Sequence, residues 1–475
     1  MTEYNELTPE LISQLQAIVG EEDCHVGENI SEDYSHDEMP IYGTRMPEAV
    51  CFPSNTEEVA AIMKLCNESK IPVTVRGAGT GLVGGSTPLQ GGVVLCTMHM
   101  NEILEYDMNN LFVRVQPGVR LCDLAADALE HDLMYPPDPG EKTGSLGGNV
   151  STNAGGMRAV KYGTTRDYVR AMTVVLPSGE ILHLGGEVTK NCSGYNLLHL
   201  MVGSEGTLGI ITELSLRVIA PPANTVSLLA LFDNLPDCIS CVSKVRLSGL
   251  DPTAVEFMPR SNVDDIERFL GKNVYPKKIE GVEVQYYLLT TFDCRLEVEL
   301  DDIMEHAAET FVENGALDVV VYDTPEALRS AWAVRGATLE ALLANFNQTD
   351  ECDIVVPVPQ IAPLVEYLTG LEEEVGLTVR ATGHAGDGNV HVNVCANDMP
   401  PEEFEKRAEK FMKLAYAKVP EFGGLISGEH GIGSAKVGYL EEALGQTVMD
   451  LMRSVKKVFD PKMLLNPGKV CTRVQ

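Results

Sequence analysis

The run Thr382-Gly383-His384-Ala385-Gly386-Asp387-Gly388-Asn389-Val390-His391-Val392-Asn393 holds two imidazoles in an extended setting. Asp-Gly between two extended segments favours a two-residue type I′ turn. With Asp387-Gly388 at the tip, the expected antiparallel pairs are 386 with 389, 385 with 390 and 384 with 391. His384 and His391 then stand directly opposite on one face, with Cβ atoms about 5 Å apart. Thr382 and Asn393 form the next pair on that face. Two imidazoles held side by side can share one divalent metal. A lone histidine on a strand is more often a satisfied core residue, but a cross-strand pair beside glycines points to metal.

A second kind of chemistry is carried by glycine. Arg76-Gly77-Ala78-Gly79-Thr80-Gly81-Leu82-Val83-Gly84-Gly85-Ser86 follows a strand, but its spacing is not G-x-G-x-x-G. The next stretch, Gly91–Cys96, reads as a strand where a dinucleotide fingerprint requires a helix, so a Rossmann reading fails twice. Successive backbone N–H groups in such a loop still form an anion-binding concavity. Taken alone, the loop is equally a phosphate site or a structural loop. It is not alone. Pro136-Pro137-Asp138-Pro139-Gly140 leads to Thr143–Asn149, Thr152–Gly156 and Lys161–Thr164, and Gly203–Gly209 comes later. Three separated glycine-rich loops with small hydroxyls imply a long ligand lying along backbone, its phosphates held by N–H groups.

The order of these loops resembles the FAD-binding domain of the vanillyl-alcohol-oxidase-like flavoproteins. Within them it resembles the family of D-lactate, glycolate and D-2-hydroxyglutarate dehydrogenases. The resemblance runs from about residue 40 to Asn466-Pro467-Gly468-Lys469. It implies an α+β fold: a two-part FAD-binding domain of that type plus an α+β cap domain for substrate, built on an antiparallel sheet. It implies that FAD is lined by Arg76, Gly77, Ala78, Gly79, Thr80, Gly81 and Ser86, then Pro137, Thr143, Gly144, Gly147, Gly148 and Asn149. Thr152, Asn153, Gly155, Gly156 and Gly163 continue the lining, with Gly203, Glu205, Gly206, Gly209, Ile210 and Asn466. Covalent relatives carry a flavin-linked histidine in R-G-G-G-H; this chain has Thr80 there. No cysteine occurs between residues 123 and 191, so non-covalent FAD is expected.

Ser427-Gly428-Glu429-His430-Gly431-Ile432-Gly433 reads by itself as either a functional pair or an ordinary glycine turn. Flanking glycines can let Glu429 and His430 both face one site. The resemblance implies His384, His391 and Glu429 as metal ligands and His430 as the base. Such a nitrogen and oxygen donor set suits Zn²⁺, Fe²⁺ and Mn²⁺ alike. Trp332-Ala-Val-Arg335 resembles the family's W-x-x-R, whose arginine grips the substrate carboxylate; Trp332 and Asn393 are expected beside it. Relatives acting on D-2-hydroxyglutarate tend to carry a lysine before a strand that ends in proline. Here the stretch is Asp350-Glu351-Cys352-Asp353-Ile354-Val355-Val356-Pro357, which argues against a second substrate carboxylate.

The implied reaction oxidises a small D-2-hydroxy acid, D-lactate before glycolate, to the 2-oxo acid. Electrons then pass to a partner such as an electron-transfer flavoprotein; a quinone or cytochrome is the alternative. A rival of another class is a non-catalytic electron-relay subunit. It would keep the glycine loops and lose the triad and His430, whereas this chain has all four.

Positioning these residues falls to elements legible from periodicity. Thr8-Pro9 reads as an N-cap and first helical residue, with a helix through Leu15 and Ile18 to Gly20. A strand at 49–52, a helix from Asn55 or Thr56 with Val59, Ile62, Met63 and Cys66 on one face, and a strand at 71–75 give a β-α-β start. Strands are expected at 92–97, 111–115 and 172–176, and a helix at 121–131. After Ala220-Pro221-Pro222 come strand–helix units, among them 226–232 with 237–247 and 284–291 with 297–314. The expected division is therefore 1–220 for FAD, 221–420 for the cap, and 421–475 returning to the flavin.

The 475 residues are enough for about three domains, or two large ones. A net charge of −33 repels phosphate backbones and anionic lipid, so nucleic acid is a poor partner. No apolar run is long enough to span a membrane. The twelve cysteines are scattered, Cys238-Ile-Ser-Cys241 is a lone pair on a helix, and the first residues lack a leader pattern. A cytoplasmic, reduced protein is expected.

Overall fold

The computed structural model describes residues 4–296 and 299–473. Residues 1–3 and 474–475 of the expected outer segments, and the first two residues of the helix expected at 297–314, lie outside the described residues. By contact the chain divides into two units. The first takes the residues up to Ala154, Thr164–Pro221 and the residues from His430; the second takes Gly155–Gly163 and Pro222–Glu429. The short stretch 155–163 thus packs with the second unit. The return to the first unit begins at His430.

The first unit opens on a helix at Pro9–Val19, where Thr8 Oγ1 accepts from the Leu11 amide at 3.3 Å. A second helix, Thr56–Ser69, is capped by Asn55 and buries Val59, Ile62, Met63 and Cys66. That i, i+3, i+4, i+7 spacing is the apolar stripe of a helix lying on a sheet. Each such side chain, fully withdrawn from water, contributes about 1.5–3 kcal/mol. The stripe meets a four-stranded sheet in the order 24–26, 49–51, 93–96, 73–76; its last three strands run parallel. A five-stranded antiparallel sheet follows, ordered 103–107, 112–115, 210–217, 169–175, 181–185. The expected loop 143–149 differs from the structure, because Ser145 caps a short helix at Leu146–Thr152.

The second unit is built on seven antiparallel strands in the order 318–322, 224–232, 286–294, 254–259, 378–384, 389–396, 348–355. The helices Leu235–Leu247 and Leu300–Glu313 take the places expected for them. Cys238 and Cys241 face inward on the first of these, and burial pushes the Cys241 thiol up to about 12. A thiol held protonated is a poor nucleophile and a poor metal ligand.

Candidate active site

The second unit's hairpin of strands 378–384 and 389–396 departs from the expected register. His384 pairs with Asn389, Thr382 with His391 and Arg380 with Asn393, so the connection is the four-residue loop 385–388. Type I′ needs positive φ at both central residues, and of Asp387 and Gly388 only Gly388 has it (φ 92°). Neighbouring chain takes up the loop's polar groups. Gly386 N–H donates to the Val255 carbonyl at 3.1 Å, and the Gly388 carbonyl accepts from Val356 N–H at 3.0 Å. A side chain at Gly388 would meet the Val356 oxygen at 2.0 Å. The shift is by two residues, so the period-2 alternation keeps both histidines on one face, diagonal and no longer opposite. Their ring centroids stand 5.2 Å apart, nearly perpendicular. Thr382 and Asn393 are not a pair; Thr382 Oγ1 donates to the Phe257 carbonyl.

Both histidines aim Nε2 at one oxygen. Glu429 Oε1 lies 3.4 Å from His384 Nε2 and 3.2 Å from His391 Nε2. The opposite ring nitrogens face carboxylates as well: His384 Nδ1 donates to Glu256 at 2.7 Å, and His391 Nδ1 lies 3.2 Å from Glu351. A carboxylate on Nδ1 leaves the Nε2 lone pair free for a cation and fixes the ring plane. Burial alone would lower the His384 pKa, but Glu256 and Glu429 outweigh it and push it up to about 9. His391 is raised for the same kind of reason, and Glu429 is held well below the carboxylate range by the two rings. The side chains in ion-pair contact are three carboxylates and one guanidinium. With both rings neutral their charge is that of a dianion, which one divalent cation balances. Two imidazoles and a carboxylate oxygen within 4.8 Å of one another therefore fit such an ion.

Glu429 is delivered by an irregular segment, not a strand. Asp353, with no solvent exposure, accepts from Ser427 Oγ, Gly428 N–H, Glu429 N–H and Asn389 Nδ2 at 2.7–3.0 Å. One buried carboxylate thus ties the loop carrying Glu429 to the hairpin carrying the histidines. His430, the next residue, is the first of the returning segment.

Arg335 ends the helix Pro325–Gly336 almost fully buried, its Nε donating to Glu256 Oε2 at 2.7 Å. Trp332, one turn earlier, donates its indole N–H to Ser227 Oγ at 3.1 Å and packs in the core against the sheet. Asn393 is buried between Arg380 and Glu351 in the strand register. Sequence reasoning missed Glu256. Its signal was available: Ala254-Val255-Glu256-Phe257-Met258 places one acid inside an apolar strand, and a charge there needs a partner.

In the first unit the glycine-rich segments meet through a few polar side chains. Asn466 accepts from Val75 N–H at 2.9 Å and donates to the Glu205 carbonyl at 2.8 Å, bridging the first and last loops. The Glu205 carboxylate accepts from Ile432 and Gly433 N–H, while its own N–H donates to the Ser151 carbonyl. Arg76 Nη1 reaches Ser86 Oγ at 3.3 Å, and Thr80 Oγ1 lies beside Gly144. Thr143 donates to Glu141, Thr152 to the Gly148 carbonyl, and Asn153 accepts from Arg166 N–H. Pro137 and Ile210 are buried nearby in the same unit. Residues 77–80 are half-buried, between buried Arg76 and exposed Gly81, so their backbone is reachable by a ligand. Gly155, Gly156 and Gly163 pack with the second unit instead. A side chain at Gly155 would meet Glu429 Oε2 at 2.8 Å.

Residues 47–185 match the model of an FAD binding domain, and residues 221–470 match that of the C-terminal domain of FAD linked oxidases. The chain belongs to the FAD-linked oxidase family. It is 55% identical to a D-lactate dehydrogenase of Anaerostipes hadrus over 99% of each chain. A D-lactate dehydrogenase of Archaeoglobus fulgidus is 40% identical over 94% of this chain and 96% of its own. A glycolate oxidase subunit of Bacillus subtilis is 37% identical over 98% and 97%. Among solved structures, 4-ethylphenol oxidase from Gulosibacter chungangensis superposes with a TM-score of 0.80 at 19% identity, covering 98% of both chains. p-Cresol methylhydroxylase gives 0.80 at 17%, covering 98% and 96%. The fold is that of the vanillyl-alcohol-oxidase-like flavoproteins, as the loop order implied. This member of the family is a flavoprotein, and no helix among its described residues is long and apolar enough to cross a membrane.

Proposed function

We propose that this protein is an FAD- and metal-dependent dehydrogenase that oxidises D-lactate to its 2-oxo acid. The observation that carries the reading is the 55% identity to a D-lactate dehydrogenase over nearly the whole of both chains. Arg335 holds the substrate carboxylate: with Nε committed to Glu256, the two Nη groups present a planar, bidentate edge. His384, His391 and Glu429 hold one divalent ion, Zn²⁺, Fe²⁺ or Mn²⁺. When bound, that ion would supply acidity to the substrate hydroxyl, and FAD would supply the acceptor for the C2 hydride. His430 takes the hydroxyl proton as general base. FAD is held without a covalent link, since Thr80 stands where a linking histidine would be. The acceptor is a redox protein such as an electron-transfer flavoprotein. Twelve free thiols suit a reducing, cytoplasmic compartment.

The test is anaerobic mixing of the yellow holoprotein with D-lactate, L-lactate, glycolate and D-2-hydroxyglutarate, following loss of flavin absorbance. D-lactate is expected to reduce the flavin fastest. Fastest reduction by glycolate moves the assignment to a glycolate dehydrogenase, in line with the Bacillus relative. No reduction by any of the four overturns it in favour of an electron-relay role.

A further inference from the structure

Glu256 has no solvent exposure, and the reaction above gives it no part of its own. It lies on the strand Ala254–Pro259, directly across from His384 in the antiparallel register. Its Oε1 accepts from His384 Nδ1 at 2.7 Å, and its Oε2 accepts from Arg335 Nε at 2.7 Å. An ionised carboxylate taken wholly out of water is costly unless its partners are fixed and charged.

Resting on the proposed function, we infer that Glu256 is a positioning residue that couples the metal centre to the carboxylate clamp. Its single carboxylate performs two tasks. It holds the proton of His384 on Nδ1, which turns the Nε2 lone pair toward the ion. It also fixes the plane of the Arg335 guanidinium, which sets where the substrate carboxylate rests. A 2-hydroxy acid carries its carboxylate and hydroxyl on adjacent carbons, so the clamp and the ion must keep one short, fixed separation. A residue bonded to both supplies it. Acids with the hydroxyl one carbon further away are thereby disfavoured.

Glu256→Gln tests this, because an amide can accept from one donor but turns a second N–H against the other. Holoprotein stripped by chelator is titrated with Zn²⁺, and the D-lactate dissociation constant is read from anaerobic flavin reduction by the unstripped protein. Zn²⁺ affinity is expected to fall about 10–100-fold, the usual weight of a partner behind a metal-bound histidine. The D-lactate constant is expected to rise as well, with FAD content unchanged. In an Arg335→Met background the added effect of Glu256→Gln on D-lactate should vanish while its effect on Zn²⁺ persists. Glu256→Asp keeps the charge but is too short to reach both donors, so it should restore one of the two properties. Parental Zn²⁺ and D-lactate constants in Glu256→Gln overturn the inference. So does loss of FAD from both variants, which makes Glu256 a folding residue only. If Arg335→Met alone leaves D-lactate binding unchanged, the proposed clamp fails, while the effect on Zn²⁺ still reports on Glu256.

Discussion

At the residue scale, His430 and Arg335 have separable signatures. His430→Asn should keep FAD, metal and near-parental D-lactate affinity, while flavin reduction slows by roughly 10²–10⁴, the weight of general-base catalysis. Arg335→Met should raise the D-lactate dissociation constant first, with any loss of rate reporting poor orientation of C2. Rapid mixing distinguishes the two. Reduction at the parental rate in His430→Asn at saturating D-lactate would show that the base lies elsewhere. His384 and His391 stood out by residue type and glycine neighbours, whereas Glu429, His430 and Arg335 drew their expected roles from the resemblance to the family. Glu256, Glu351 and Asp353 were not assigned roles, since an acid reveals its task only when its partners are in view. Glu351 entered the sequence reading merely as a charge unfavourable to a second substrate carboxylate; in the structure it backs His391.

At the element scale, helices such as Pro9–Val19, Thr56–Ser69 and Leu235–Leu247 followed from periodicity, and the hairpin register did not. Asp387-Gly388 is a strong local turn signal, but hydrogen bonds to the Val255 carbonyl and from Val356 N–H in neighbouring chain draw residues 385–388 into a wider loop. Tertiary bonding overrode a two-residue preference, and the face of the histidines survived because the slip was even. The same scale governs delivery of Glu429. Asp353→Ala would remove one acceptor shared by four donors, at about 1–3 kcal/mol for a donor left buried without a partner. Thermal unfolding should occur several degrees lower, and Zn²⁺ affinity should fall with FAD retained. An unchanged Zn²⁺ affinity would mean that Glu429 is held by something other than Asp353.

At the scale of the whole molecule, the loop order carried the fold and a returning segment was expected from 421, where the structure starts it at His430, while the place of 155–163 in the second unit could not be read from local pattern. Acid or heat should release the flavin as free FAD, checked by chromatography of the supernatant; flavin remaining on the denatured chain would refute a non-covalent link. The first unit also carries a pH-dependent cost. Lys469 is fully buried, its ammonium has no hydrogen-bond partner among the described residues, and burial lowers its pKa from 10.5 to about 7. Between those values the unfolded chain binds the extra proton, so this group makes stability rise with pH from about 7 towards 10.5. Lys469→Met should therefore raise the unfolding temperature most below pH 7 and progressively less towards pH 10. A gain independent of pH would contradict the burial argument.

The central claim joins the flavin, the ion and the hydroxy acid in one reaction, and a single experiment addresses all three. Holoprotein is split into a sample stripped of divalent ions by chelator and the same sample reloaded, each with FAD still bound. Both are mixed anaerobically with D-lactate while flavin absorbance is followed. The account predicts rapid bleaching in the reloaded sample and reduction slower by at least about 10²-fold in the stripped one, since the ion and the base act together on the hydroxyl proton. Equal reduction rates in the two samples would contradict it.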